Sequence, residues 1–66
     1  MSYLKWLNEF ANCVEKAAKE RLKGNMESAL TLDRIIEEYY KQNTGDEDTL
    51  VEIEADIRMA VSLGEL

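Results

Sequence analysis

The sequence predicts an all-α fold, a small bundle of three helices, and three observations carry that prediction. Apolar residues recur every three or four positions along most of the chain, proline is absent, and the three glycines stand singly at Gly24, Gly45 and Gly64, where each can stop a helix. The expected elements are helices over about 3–23, 26–43 and 48–63, in one domain spanning 1–66.

The first helix has the clearest pattern. Its apolar residues are Tyr3, Leu4, Trp6, Leu7, Phe10, Ala11, Cys13, Val14, Ala17, Ala18 and Leu22, nearly all three, four or seven apart. Wound at about 3.6 residues per turn, Lys5, Asn8, Glu9, Asn12, Glu15, Lys16, Lys19 and Lys23 gather on the opposite side. Ser2 suits the N-cap and Gly24 the position just past the C-terminus.

Asn25 can cap a second helix whose apolar face is Ala29, Leu32, Ile35, Ile36, Tyr39 and Tyr40, with Glu27, Arg34, Glu38 and Lys41 opposite. Met26 and Leu30 fall off that face as a side stripe. The helix should end near Asn43, where Asn43-Thr44-Gly45-Asp46 combines a glycine stop with an acidic restart.

The third segment, Leu50 to Leu63, satisfies two templates. As a helix it aligns Leu50, Ile53, Ile57, Ala60 and Val61, with Thr49 and Glu52 as a capping box. As a strand it alternates Val51, Ile53, Ala55, Ile57, Met59, Val61 and Leu63 with Glu52, Glu54, Asp56, Arg58, Ala60 and Ser62. The segment is far longer than the usual strand of about five or six residues, and no second strand exists to pair with it, so the helix is preferred. The strand alternative requires pairing with its twin across a dimer.

Composition narrows the function classes. The chain has 66 residues, no His, one Cys and a formal charge of −6. One small core rarely supplies more than about 3–5 kcal/mol, so domains of this size lean on disulfides, a metal or a partner chain. Cys13 has no second cysteine to pair with, and without His there is no ligand set for zinc, haem or an iron–sulfur cluster. No cofactor is expected, and a partner chain remains as the staple. No apolar run approaches the ~20 residues that cross a membrane, and Met1 to Trp6 lack the basic start and apolar block of a signal peptide. The chain reads as cytoplasmic.

Nothing in the sequence assembles a catalytic group. The usual neutral-pH base is missing, and Cys13 lies mid-helix with no imidazole to activate it. Asp46, Glu47 and Asp48 fail the spacing of a calcium loop and are what a helix start attracts. Phosphate-binding glycine loops are absent. The basic cluster Lys16, Lys19, Arg21 and Lys23 complements a helix C-terminus, and direct nucleic-acid binding runs against the net charge.

Charge is uneven along the chain. Residues 1–24 carry five basic and three acidic groups, residues 25–66 three basic and eleven acidic. Asp48, Glu52 and Asp56 recur every fourth residue, one acidic stripe on a helix, and like charges at that spacing oppose helix formation. Trp6, Tyr39 and Tyr40 are of the residue types that dominate interface hot spots, and Phe10 lies beside Trp6 on one edge of the first helix; in a chain this small the same aromatic residues are also what fills the core. The apolar arcs of the helices are wider than a minimal bundle can hide, which favours self-association.

The sequence therefore leads to a non-enzymatic protein–protein interaction module that associates with itself as a homodimer. Its candidate contact residues are Trp6, Phe10, Met26, Leu30, Tyr39, Tyr40, Asp48, Glu52 and Asp56. The alternative is an acidic inhibitor or nucleic-acid mimic of the phage or mobile-element type, binding a basic surface of a host protein.

Overall fold

A computed structural model describes residues 3–66. The expected cap at Ser2 lies outside the described residues. Three helices form, α1 (Tyr3–Lys23), α2 (Met26–Gln42) and α3 (Glu47–Ser62), with a single 3₁₀ turn, Thr44–Asp46, between the last two. Among the described residues there is no strand. The alternating pattern of the third segment therefore folds as a helix, and its apolar alternation places Val51 and Met59 outside while Leu50 and Val61 are buried.

Glycine ends two of the three helices as the pattern predicts. Gly24 has φ +84°, with its N–H bonded to the Arg21 carbonyl at 3.1 Å and the Asn25 N–H reaching back to Glu20 at 2.9 Å. Those two bonds satisfy carbonyls that the last turn of α1 would otherwise leave open. Gly64, at φ +77°, repeats the arrangement through Val61 at 3.1 Å and Ala60 at 2.9 Å. Gly45 differs. It has no positive φ and lies within the 3₁₀ turn, while α2 is closed by Asn43, whose N–H bonds to the Tyr40 carbonyl and whose Nδ2 donates to the Tyr39 carbonyl.

Two helix starts depart from expectation. Asn25 occupies the N-cap position of α2 but its side chain donates to Glu20 Oε1 at 3.3 Å instead of capping. The Thr49 and Glu52 box does not form, because α3 begins earlier, after Asp46, and Thr49 already lies inside the first turn. The 3₁₀ turn leads straight into α3 and moves its start back.

The core centres on α1, which packs against both α2 and α3. Phe10, Val14, Ala17, Ile36 and Leu50 make its fully buried heart, with Trp6, Leu7, Cys13, Leu32, Tyr39, Tyr40, Ile53 and Ile57 packed around it. Phe10 stands edge-on to both Tyr39 and Tyr40, at centroid separations of 5.6 and 5.8 Å, and stacks on Trp6 at 6.1 Å. Edge-on and offset ring pairs of this kind add about 0.5–1.5 kcal/mol beyond their burial.

α1 cannot bury its whole apolar arc. Leu4 and Leu22 belong to the same sequence pattern as Phe10 and Val14, yet they are 69% and 67% exposed. Ile35 of α2, also expected on the buried face, is half out of the core beside Trp6 and Tyr39.

Candidate interaction surface

The nine residues singled out by sequence divide into three places. Trp6, Phe10, Tyr39 and Tyr40 come together as one aromatic cluster, with Tyr3 stacked on Trp6 at 6.1 Å. Phe10 is fully buried and presents nothing to a partner: it fills the space between α1 and α2. Trp6, Tyr39 and Tyr40 are half-buried at its edge. Met26 and Leu30 stand exposed on α2. Asp48, Glu52 and Asp56 run exposed along α3, and among the described residues none of the three takes part in an ion pair.

A polar network that the sequence did not reveal crosses the gap between α2 and α3. Arg58 donates to Glu54 Oε2 through Nε at 2.9 Å and through Nη2 at 2.8 Å, and Nη2 also reaches Asp33 Oδ1 at 3.4 Å. Arg21 of α1 holds the other oxygen of Asp33. On the far side of Glu54, the Tyr40 hydroxyl donates to Oε1 at 2.5 Å. The phenol is pushed well above its ordinary range, first by burial and then by the Glu54 carboxylate that accepts its hydrogen bond. These five side chains link all three helices, and α2 and α3 are joined mainly through them.

The partners lie four residues apart (Glu54, Arg58), twelve apart (Arg21, Asp33) or more than that (Tyr40 with Glu54, Asp33 with Arg58). Only the first spacing is a signal within one helix. The others exist because the helices are antiparallel neighbours.

Cys13 is half-buried on the α2 side of α1. Burial pushes its thiol up, and the Glu9 carboxylate adds to that against the opposing pull of Lys16. A raised thiol holds less thiolate at neutral pH, which is the wrong direction for a nucleophile.

Several exposed apolar residues lie outside the nine candidate contact positions. Leu22, Met59 and Leu63 are each about two-thirds exposed, at 67%, 65% and 66%. They gather at one end of the molecule, where α1 and α3 both finish: Ala18 and Leu22 share a cleft there with Val61 and Ser62. Met26, at the start of α2, belongs to the same end. Val51, Ala55 and Met59 on α3 and Leu63 just past its end recur every fourth residue, the one feature of the sequence that groups them.

No protein-family model matches the chain, and no curated protein and no solved structure matches it either. Among the described residues no helix is long and apolar enough to cross a membrane.

Proposed function

We propose that this protein is a small non-enzymatic protein–protein interaction module that acts by self-association. One observation carries the reading: among the described residues ten large apolar side chains, from Ile35 at 42% to Leu4 at 69%, remain exposed. Single exposed apolar residues are ordinary, but a set contributed by all three helices and dense at one end is what an interface leaves uncovered in the isolated chain. A core built, among the described residues, on eight buried apolar side chains also leaves a small domain with little stability to spare. Covering Leu22, Met59 and Leu63 adds about 25 cal/mol for each Å² of apolar surface removed from water. The single half-buried cysteine suits the reducing cytoplasm, where we place the protein.

Sedimentation equilibrium from micromolar to millimolar concentration tests the proposal. A mass that rises from one chain to a multiple of it is the expected result; a monomer at every concentration overturns self-association.

A second reading draws on the unpaired, exposed stripe of Asp48, Glu52 and Asp56. An acidic inhibitor or nucleic-acid mimic would lay such a stripe on a basic protein surface. Capture of a basic protein by the unaltered chain, lost on changing Asp48→Asn, Glu52→Gln and Asp56→Asn together, is its expected signature. Equal capture by that triple variant removes the stripe from the account.

A further inference from the structure

We infer that the groove between α2 and α3, on the side away from α1, binds a basic amphipathic helix of another protein, whose apolar residues seat at the two ends of the groove and whose arginine or lysine side chains enter its acidic middle. The inference goes beyond self-association and does not rest on it.

Helix geometry gives the groove its shape. α2 and α3 each pack on α1 and hardly on one another. Tyr40 meets Glu54 whereas Asp33 meets Arg58, so the two helices are antiparallel. Residues three, four or seven apart share a helix face. Leu30 and Met26 therefore stand on the same side of α2 as Asp33, three and seven positions before it, and Val51 stands on the same side of α3 as Glu54 and Arg58, three and seven positions ahead of them. Leu30, Met26 and Val51 are each about half exposed, at 54%, 49% and 53%. Because the helices are antiparallel, Met26 and Leu30 lie beyond the Asp33 and Arg58 contact at one end, and Val51 lies beyond the Tyr40 and Glu54 contact at the other. The groove thus runs from apolar to polar to apolar along α2, whose 17 residues span about 25 Å.

Charge selects the occupant. Between the apolar ends Asp33, Glu37, Tyr40, Glu54 and Arg58 surround a cleft of about 250 Å³, and Glu47 is near enough to Tyr40 to act on its phenol. Arg58 and Arg21 are already engaged by Glu54 and Asp33. Among the described residues Glu37 and Glu47 take part in no ion pair. Arg34 and Lys41 stand a turn before and after Glu37, but neither pairs with it, and Lys41 turns to Glu38 at 3.5 Å. Two carboxylates at the cleft therefore lack a counter-charge, which a guanidinium or ammonium from outside supplies through charge-assisted hydrogen bonds. A second copy of this chain, at a formal charge of −6, brings the wrong sign to such a groove. A basic helix laid opposite α1 packs on α2 and α3 as a fourth member of the bundle, with Met26 adapting its shape to the incoming side chains.

Fluorescence anisotropy with a labelled synthetic helix tests the inference. The probe is an alanine-based peptide of about 17 residues, as long as the groove, with leucine at both ends of one face and two arginines between them. Far-ultraviolet circular dichroism checks that each protein variant remains helical. The unaltered chain is expected to bind the probe, and to bind it about tenfold or more weakly once the arginines of the probe are replaced by glutamates or its sequence is scrambled. Glu37→Lys, and separately Met26→Ser with Leu30→Ser, are expected to weaken binding by a similar factor. Glu52 and Asp56 lie two positions either side of Glu54, hence on the opposite face of α3. Glu52→Gln with Asp56→Asn removes two charges and leaves binding unchanged.

An arginine probe that stays unbound up to millimolar chain overturns the groove site. So does equal binding of the scrambled probe, which shows only general attraction between opposite charges. A loss in the Glu52 and Asp56 variant as large as in Glu37→Lys does the same, and a loss confined to that variant moves the binding to the outer stripe of α3. Should a variant not fold, amide chemical shifts of the unaltered chain decide: changes on adding the probe confined to residues 26–40 and 47–58 support the groove, and changes centred elsewhere overturn it. Self-association is read separately by sedimentation. A chain that stays monomeric and binds the probe overturns self-association alone, whereas one that associates and ignores the probe overturns the groove alone.

Discussion

Single side chains set the margin of stability. Phe10 is fully buried against Trp6, Tyr39 and Tyr40, so its truncation leaves a cavity that no neighbour fills. Such a change costs about 3–5 kcal/mol, as much as one small core supplies. Phe10→Ala is therefore expected to be unfolded at room temperature, read as loss of the helical circular dichroism signal. Tyr40 adds a dependence on pH. Its phenol ionises less readily in the folded chain than in the unfolded one, so its contribution is intact below the ordinary phenol range and is lost as pH rises above about 10. The melting temperature should fall in alkali, and less steeply in Tyr40→Phe than in the unaltered chain. Some slope remains in that variant, because burial raises Tyr39 as well.

At the level of the helices, stopping signals act through backbone conformation. Gly24 and Gly45 look alike in sequence, yet only Gly24 has a positive φ, and neither has any atom within 4 Å of where a Cβ would stand. The difference between them is therefore conformational and not steric crowding. Gly24→Ala is expected to lower stability by about 1 kcal/mol, because an L-residue resists the left-handed region. Gly45→Ala should cost nothing measurable, and comparing the two in urea unfolding checks the distinction. α3 shows the other side of local coding. Its alternation of apolar and polar residues fits a strand, but a lone strand leaves its backbone groups without partners, whereas a helix satisfies them within itself. Length and backbone bonding therefore outweigh the period-two pattern.

For the whole molecule, the link between α2 and α3 rests on polar side chains. Arg58 is the hub that joins Glu54 and Asp33, and it stands about one-third exposed. Arg58→Ala leaves two carboxylates without their shared cation, at a cost of about 1–2 kcal/mol after allowance for solvent screening. For a domain of this size each kcal/mol lowers the melting temperature by roughly 4–8 °C, which differential scanning calorimetry measures directly. The same architecture explains the exposed apolar set. α1 carries an apolar arc broader than two neighbouring helices can cover, so Leu4 and Leu22 project past them.

Helix number, helix order, the glycine stops at Gly24 and Gly64 and the core positions Val14, Ala17, Ile36 and Leu50 were all legible along the chain. They follow from period and local backbone preference, which act over a turn or two of helix. The chain order of residues could not disclose which part of a broad apolar arc would be covered, that Phe10 would be core and Leu22 surface, or that Arg21, Asp33, Tyr40, Glu54 and Arg58 would meet. Those outcomes depend on how three helices sit against one another. Burial and long-range hydrogen bonds are properties of that arrangement, because they require atoms far apart in the chain to arrive at the same place.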